Sequence, residues 1–429
     1  MKNRFNPIML CLLAAVGFAV TSCEDYTGKY EMTGGTPTIY YVRPTDAAKA
    51  DSLLTGAYMG STVCLVGDNL TSIQELFFND VKATPNINFI TKNTLIVSVP
   101  NVLPDAISNK IWMVTERKDT IGYDFVTQIP NPSISRIYCD NVPEGGTVTL
   151  IGDYMLDYPN AHISVTIGNY TVPYEHITHV EKTTLSFIAP PAEVSGYITV
   201  TSTYGSNTRS YRSLFRDGDP EVVQYITRFE PTENNGTGFV PGWGRPGTQQ
   251  LQNDPALAIS GTYVRWDGAL TGGEWASGSP NYVINIWGCN DSSNPNSGIP
   301  DPMFTFKPEE AALKFDINVM QAWSGLPIAL FFTKASDAEN YLWGDDTYPR
   351  AFYAPWTTAP GASYVSNGWE TVTIPLTDFK YIGSGATVDI SDGYSNLGIA
   401  IHNRGGAAYA GTDCSPVILI DNIRVIKIQ

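Results

Sequence analysis

A short internal repeat sets the fold expected for the first half of the chain. Residues 60–67 read GSTVCLVG and residues 145–152 read GGTVTLIG, an offset of 85 residues (from 60 to 145). Such self-similarity indicates one structural unit that occurs twice. Apolar and polar residues alternate with period two in each copy, which predicts two β-sandwiches of about immunoglobulin size. The surroundings also correspond: a strand-like segment precedes each copy at 39–42 and 134–138, and a strand that stops at a proline follows at 95–100 and 185–190.

The pattern Gly-x-x-Val-x-Leu-x-Gly, followed by a short β pair and a strand ending in proline, resembles the IPT/TIG family of Ig-like domains. The resemblance covers residues 36–128 and 131–216 and implies two supporting domains in tandem rather than a chemical activity. Pro132 and Pro220 mark the domain boundaries, since a fixed φ stiffens each connection. We expect Trp112, the one tryptophan of these domains, to be a core residue.

The N-terminus has the features of a bacterial lipoprotein signal. Lys2 and Arg4 precede an apolar stretch at residues 8–20 that is too short to span a bilayer as a mature helix. Val20-Thr-Ser-Cys23 then resembles a lipobox. We therefore expect residues 1–22 to be a signal peptide and Cys23 to be lipidated, which anchors the protein to a membrane. The alternative is an ordinary secretory signal that contains a cysteine.

The segment after the lipobox fits export to the cell surface. Glu24 and Asp25 resemble the acidic surface-export signal of Bacteroidetes lipoproteins, which implies the outer face of the outer membrane. Residues 23–35 are rich in Gly, Thr and Tyr without periodicity, so we expect a flexible tether. A solvated charge pair without a signalling role is the alternative.

Composition narrows both the partners and the fold class. Lys and Arg total 26 against 42 Asp and Glu, a formal net charge of −16. Nucleic-acid binding needs clustered Lys and Arg, so this balance argues against a nucleic-acid partner. The 38 Gly and 29 Pro, with frequent Tyr, Thr, Val and Ile and few apolar helical stripes, indicate an all-β chain.

Tryptophan is concentrated in the C-terminal part of the chain. Eight of the nine tryptophans lie between residues 243 and 369, more than one β domain needs for its core. Leu313, Phe315, Ile317 and Val319 alternate with polar residues, and further strand-like segments follow, so residues 220–429 predict a sandwich of the jelly-roll type. The predicted fold is all-β: two tandem Ig-like β-sandwiches followed by a larger jelly-roll β-sandwich.

Three segments of this region resemble jelly-roll carbohydrate-binding modules: LKFD, GWETVTIPL and IDNIRV. With the lipobox and the tandem Ig-like domains, the chain resembles the surface glycan-binding lipoproteins of Bacteroidetes polysaccharide-utilization loci. Residues 220–429 resemble their xyloglucan-binding domain. The resemblance implies non-catalytic capture of a polysaccharide, for which we expect a neutral β-glycan, beside an outer-membrane glycan importer.

Aromatic side chains of this region are the candidate glycan contacts. Aromatic rings stack on the apolar faces of sugars, and loops held by a rigid sandwich are where binding residues concentrate. In residues 282–287, period two places Asn285 and Trp287 on the face opposite Ile284 and Ile286. Each ring could instead belong to the core. The predicted platform draws on Trp275, Trp287, Trp343, Tyr353 and Trp356, with Asn285, Asp345 and Arg404 as polar partners.

A structural metal ion and a disulfide are further expectations. In jelly-roll binding modules a carboxylate early in the domain and one in the last strand share calcium, which implies an ion held by Glu230 and Asp421. Two ordinary surface carboxylates are the alternative, and no other cofactor is expected. Cys289 and Cys414 lie in one domain and could form a disulfide. The alternative is four free thiols at Cys64, Cys139, Cys289 and Cys414.

The sequence lacks the catalytic motifs that would point to an enzyme. Glycoside hydrolysis needs two carboxylates across the scissile bond, and related sandwich hydrolases carry them as Glu-x-Asp-x-x-Glu, a run absent here. Gly-x-Ser-x-Gly and His-Glu-x-x-His are absent as well. We therefore expect a binding protein without catalytic activity. A lipoprotein glycan hydrolase or lyase and an envelope adhesin are the alternatives.

Overall fold

The computed structural model divides the chain into two compact units, Met1–Pro130 and Asn131–Gln429. It describes residues 34–49, 51–159, 161–231, 250–274, 276, 283–287, 302–333, 348–358, 361–381, 384–387, 396–403 and 405–428, with only the backbone described at 250, 283, 285, 287 and 333. These residues contain strands and short 3-10 turns but no α-helix. Within the described part, no helix has the length and apolar character needed to cross a membrane.

The first unit is a small β-sandwich. Its sheets have the strand orders β1-β3-β6 and β5-β4-β7-β8, and β2 pairs in parallel with β9. Buried side chains from both sheets, among them Leu65, Leu76 and Ile111, form its core. The strands are β1 Thr38–Pro44, β2 Gly56–Tyr58, β3 Thr62–Asp68, β4 Ile73–Phe78, β5 Val81–Ala83, β6 Thr94–Ser98, β7 Lys110–Thr115, β8 Thr120–Asp124 and β9 Val126–Gln128.

Trp112 is not a core residue of this unit, so that prediction is wrong. In β7 the buried residues are Ile111 and Met113, and strand geometry places position 112 on the opposite face. The indole is half-buried, lies against Gly122 of the neighbouring strand and donates a hydrogen bond of 2.9 Å to Ser108 Oγ. Covering an exposed glycine in this way is a known device of β-sheets.

The second unit contains two sandwiches. The first has the sheets β10-β11-β15-β14 and β13-β12-β16-β17, with β18 also paired to β16. Its core is built from Val148, Leu150, Leu185 and Phe187 with Ile198 and Val200 of the facing sheet. The strands are β10 Ser133–Ile137, β11 Thr147–Asp153, β12 Ser164–Ile167, β13 Tyr170–Thr171, β14 Ile177–Glu181, β15 Thr184–Ile188, β16 Gly196–Ser202, β17 Gly205–Ser206 and β18 Leu214–Phe215.

The larger C-terminal sandwich packs a six-stranded sheet on a four-stranded one. The six-stranded sheet has the order β20-β21-β28-β23-β26, with β19 also paired to β28, and the four-stranded sheet has the order β22-β27-β24-β25. The strands are β19 Val223–Thr227, β20 Gln250–Gln252, β21 Tyr263–Asp267, β22 Val283–Trp287, β23 Ala311–Val319, β24 Ile328–Thr333, β25 Arg350–Tyr353, β26 Glu370–Pro375, β27 Asn396–Ile401 and β28 Val417–Lys427.

Short 3-10 turns connect the strands of both units. Those described are Ala47–Lys49, Leu70–Ser72, Ile87–Phe89, Tyr174–His176, Tyr211–Ser213, Pro308–Glu310, Pro355–Thr358, Leu376–Asp378 and Gly406–Tyr409.

The sequence repeat corresponds to a repeated backbone geometry. Gly60 and Gly145 both have a φ of 78°, which favours glycine. At Gly67 and at Gly152 a Cβ atom would lie 1.8 Å from a carbonyl oxygen of the bulged neighbouring strand. Only glycine therefore fits at the second position of each pair, which explains why the motif begins and ends with it.

A buried ion cluster joins the two sandwiches of the second unit. Asp140 and Asp217 come from the first sandwich and the segment leaving it, and Lys314, Asp316 and Arg424 come from the C-terminal sandwich; all five are buried. The Arg424 guanidinium lies 2.5 Å from Asp140, 3.5 Å from Asp316 and in contact with Asp217. The Lys314 ammonium lies 3.1 Å from Asp217 and in contact with Asp140. The polar face of β23 is thus buried against a neighbouring sandwich.

The charges in the cluster compensate one another unequally. Burial alone would raise the pKa of Asp140, but Lys314 and Arg424 hold it below its usual value. Burial raises the pKa of Asp316. Among the described residues, Arg424 is the one cation within hydrogen-bonding distance of its carboxylate, which also accepts hydrogen bonds from Asn141 and Thr371. The cluster therefore holds more carboxyl groups than cations.

Candidate functional site

The four-stranded sheet of the C-terminal sandwich has one face in the core and one face turned away from it, here called the outer face. Alternate residues of each strand enter the core: Ile284, Ile286, Ile328, Leu330, Phe332, Ala351, Leu397, Ile399 and Ile401. The residues between them belong to the outer face. The strand register aligns positions 285, 398, 331 and 350 in one row across the sheet, with 287 and 396 paired in the next.

The centre of the outer face is an aromatic ring lying flat on the sheet. A Cβ atom at Gly398 would come within 2.1 Å of the Phe331 ring, so glycine is required beneath it. The guanidinium carbon of Arg350 lies 5.5 Å from the centroid of that ring. Phe331 and Arg350 are 0% and 2% exposed, so this part of the face is fixed by packing.

A cavity of about 510 Å³ lies at the β25 edge of the outer face, here called the edge cavity. Phe352 and Tyr409 line it with their ring centroids 5.1 Å apart and their planes inclined by 33°. Both rings are half-buried, and Arg350, Lys380 and Tyr381 line the same cavity. Its volume falls in the range of small-molecule sites, which combine apolar rings with a few polar groups.

Trp356, predicted as a platform residue, is buried in the core, so an exposed position for this ring is wrong. Tyr353, also predicted for the platform, is half-buried and packs against the same core. Tyr353 stands perpendicular to Phe315 with centroids 5.9 Å apart and donates a hydrogen bond of 3.3 Å to Glu370 Oε1. Burial and the Glu370 carboxylate raise the pKa of its hydroxyl. Trp356 is 6% exposed and belongs to the core.

Period two in β25 explains the correction. Ala351 and Tyr353 enter the core, so Arg350 and Phe352 fall on the outer face. Reasoning from sequence placed Tyr353 within a long aromatic loop, whereas it lies in β25, and missed Phe352 and Tyr409. The alternation of the short run RAFY, read against the core-facing Ala351, was the available signal.

The remaining predicted contacts lie outside the described residues: Trp275, Trp343, Asp345, Arg404 and the side chains of Asn285 and Trp287, as does Cys23. The backbone of β22 is described. Its Ile284 and Ile286 are buried in the core, and positions 285 and 287 pair with Gly398 and Asn396 of the adjacent strand. These two positions are therefore in register with the outer face.

Glu230 and Asp421 are electrostatically linked. Asp421 is buried, accepts hydrogen bonds from Ser260 Oγ (3.1 Å) and from the backbone N–H of Asn422 (2.7 Å), and has its pKa raised to about 9 by burial and by the carboxylates of Asp316 and Glu230. This excess of negative charge is what a divalent cation would relieve. The described residues contain no group of three or more His, Cys, Asp or Glu side chains placed to hold a metal.

The described cysteines are thiols. Cys64 and Cys139 are buried in the cores of the two Ig-like sandwiches, and burial raises the pKa of Cys139 well above its usual value. Cys414 is a free, half-buried thiol, which favours the alternative of free thiols over a bridge to Cys289, a residue outside the described part of the chain.

Comparison with a solved relative decides the family. The crystal structure of PbSGBP-B, a surface glycan-binding protein from Prevotella bryantii, is 31% identical in sequence. It matches with a TM-score of 0.71 over 92% of this chain and 99% of that chain. This chain belongs to the family of surface glycan-binding proteins. Within this surface glycan-binding protein, residues 220–427 match the family described as surface glycan-binding protein B xyloglucan binding domain.

A second relative covers only part of the chain. An IPT/TIG domain-containing protein of Bacteroides ovatus is 26% identical over 238 residues, which is 52% of this chain and 47% of that protein. The aligned part thus spans about half the length of this relative. Together these likenesses confirm the predicted family, the all-β architecture of Ig-like and jelly-roll sandwiches, and the predicted function class, glycan binding at the cell surface.

Proposed function

We propose that this surface glycan-binding protein captures a neutral β-glycan of the xyloglucan class in the edge cavity. The pair formed by Phe352 and Tyr409 carries the proposal, because two partly exposed rings beside a cavity offer stacking surfaces to adjacent sugar units. The family matched over residues 220–427 supports the ligand class.

Recognition would combine stacking with hydrogen bonds from fixed groups. Lys380 and Asp378 line the edge cavity and are exposed, so both can bond sugar hydroxyl groups. We propose that Asn285 and Trp287 extend the site and that Trp275, Trp343, Asp345 and Arg404 complete it.

The protein would bind glycan without cleaving it. The matched family and the Prevotella relative are described as glycan-binding proteins, and the sequence lacks the paired-carboxylate motif of related hydrolases. We propose lipid anchoring through Cys23 in the outer membrane, with the Ig-like sandwiches as supports and an outer-membrane importer as the recipient of the glycan. Glu230 and Asp421 would hold a structural calcium ion, completed by backbone or water oxygens.

Calorimetry with xyloglucan oligosaccharides tests the proposed site. Removing one stacking ring by Phe352→Ala or Tyr409→Ala should weaken binding by about 1–2 kcal/mol, roughly five- to thirtyfold. Tyr174→Ala is the matched control, since Tyr174 is a 46% exposed ring on the first sandwich of the same unit.

Two results would contradict the proposal. If both edge-cavity variants bind like the parent while remaining folded by circular dichroism, the site lies elsewhere. If the parent releases reducing sugar from the polysaccharide, it is a hydrolase. Failure to bind any of a panel of plant, algal and fungal glycans would favour the adhesin alternative.

A further inference from the structure

A second cavity lies between the two sandwiches of residues 131–429, here called the seam cavity. Its volume is about 270 Å³. Five ionisable groups with charges at neutral pH line it: Arg136, Arg212, Lys314, Asp140 and Glu370. Lys314, Asp140 and Glu370 are buried, whereas Arg136 and Arg212 are exposed. The buried residues Lys314, Asp140 and Glu370 thus form a charged floor, and the exposed residues Arg136 and Arg212, from two segments of the first sandwich, form the rim.

The formal charge of the lining is positive. Three cations against two carboxylates give +1 in a chain whose net charge is −16. Lys314 contacts Asp140 and Asp217 of the buried ion cluster, and Glu370 accepts hydrogen bonds from Tyr353 and Tyr364, so the floor is internally satisfied. The excess positive charge is therefore carried by the two arginines of the rim, Arg136 and Arg212.

Both rim arginines are pre-oriented by aromatic rings. The Arg136 guanidinium lies 5.1 Å from the centroid of Tyr138, and its nearest carboxylate contact is 3.9 Å, to Glu370 Oε2. The Arg212 guanidinium lies 5.2 Å from the centroid of Tyr211 and donates through Nε to the hydroxyl of that tyrosine at 3.1 Å. In the described part of the chain Arg212 has no carboxylate partner. Planar guanidinium groups held in this way suit a carboxylate ligand.

Size and charge select one kind of ligand. The volume is below that of most drug-sized sites, which fits a single sugar ring. The carboxylates of Asp140 and Glu370 would repel a second negative charge, which favours a monoanion over a phosphate dianion. Thr373 lines both the seam cavity and the edge cavity, so the two cavities are neighbours.

We propose that the seam cavity binds a uronic acid unit carried as an acidic substituent on the otherwise neutral glycan backbone that occupies the edge cavity. This inference rests on the proposed function of the edge cavity. Arg136 and Arg212 would hold the carboxylate, while Tyr211 and the exposed Thr373 would contact the sugar ring and its hydroxyl groups.

Calorimetry of the full mature chain tests the inference with two pairs of ligands. Methyl glucuronoside is compared with methyl glucoside, and an oligosaccharide that carries a glucuronic acid substituent is compared with the same oligosaccharide without it. Each measurement is made at low and at high salt concentration. We expect heat from the glucuronoside only, and at least about tenfold tighter binding of the substituted oligosaccharide that weakens with salt. Arg136→Gln and Arg212→Gln should each remove that preference. Arg209→Gln, an exposed arginine of the same sandwich that does not line the cavity, should retain it.

Each outcome separates this inference from the proposed function. Binding of neutral oligosaccharides without any gain from the acidic substituent overturns the seam site and leaves the edge site standing. A glucuronoside signal that persists in both arginine variants also overturns it. A free glucuronoside that binds while the substituted oligosaccharide gains nothing overturns the proposal that one glycan occupies both cavities. Absence of all glycan binding refutes the proposed function instead.

Discussion

Replacing Arg424 by methionine tests whether the buried ion cluster holds the two sandwiches of residues 131–429 together. Arg424 is 0% exposed, and its guanidinium contacts Asp217, Asp140 (2.5 Å) and Asp316 (3.5 Å). In the variant, Lys314 would be the one cation of the cluster facing three carboxyl groups. Methionine is unbranched and adapts to irregular space, so the change removes charge with little loss of packing.

The expected loss of unfolding free energy is about 3–5 kcal/mol, because removing one partner of a buried ion pair leaves the other charge uncompensated. Uptake of a proton by Asp316, whose pKa burial already raises, would limit the loss to this range. Since a domain is stabilised by only about 5–15 kcal/mol, the variant should be markedly less stable. Arg265→Met, which breaks the surface pair with Asp267 at 2.9 Å, should cost about 0–1 kcal/mol.

Urea unfolding at pH 7, followed by tryptophan fluorescence and far-UV circular dichroism, measures both variants. Adding Asp217→Asn to the Arg424→Met variant should restore part of the stability, because it neutralises a carboxylate left in excess. A loss below about 1 kcal/mol for Arg424→Met, equal to that of Arg265→Met, would refute the reasoning. The reasoning would also be refuted if the Arg424→Met, Asp217→Asn double variant lost the sum of the unfolding free energies that the two single variants lose.

Three further predictions concern residues 220–429. A fragment limited to these residues should unfold at lower urea concentration than residues 131–429, because Lys314 and Arg424 lose Asp140 and Asp217; equal midpoints would contradict this. Trp356→Ala should cost about 3–5 kcal/mol of unfolding free energy without changing glycan affinity by calorimetry, since its ring is in the core. For Asp421, the pKa in the folded state is about 9, against the usual 3.8, so between these values the folded state binds a proton that the unfolded state has lost. The free energy of unfolding should therefore fall as the pH rises from about 4 to about 9, by up to about 1.4 kcal/mol per pH unit. Asp421→Asn should flatten this fall, and calcium should raise the thermal midpoint of the parent but not of this variant; identical profiles would contradict the linkage.

The repeat and the strand periodicity predicted the architecture because both depend on local rules. Glycines at the ends of the repeat fit positions of positive φ or close backbone approach, which the motif records directly. The alternation in β23 placed Leu313 and Phe315 in the core correctly. It could not show that Lys314 and Asp316 are also buried. The Lys314 partners Asp140 and Asp217 lie 174 and 97 residues away in the chain, and the Asp316 partner Arg424 lies 108 residues away.

Only part of the candidate site could be predicted from the sequence. Period two located positions 285 and 287 on the outer face because buried Ile284 and Ile286 fix the register of β22. Aromatic content alone could not separate Trp356, a core residue in a 3-10 turn, from a surface ring. The pairing of Phe352 with Tyr409 depends on two segments that meet only in the folded chain.

The buried ion cluster also limits which segments of such genes can be exchanged by recombination. A recombination event that transplanted residues 220–429 alone would carry two cations away from the aspartates that neutralise them. The new host would have to supply equivalent acids at the same places. The smallest segment that carries all of these buried ion pairs is residues 131–429, so the second Ig-like sandwich should be inherited together with the glycan-binding sandwich.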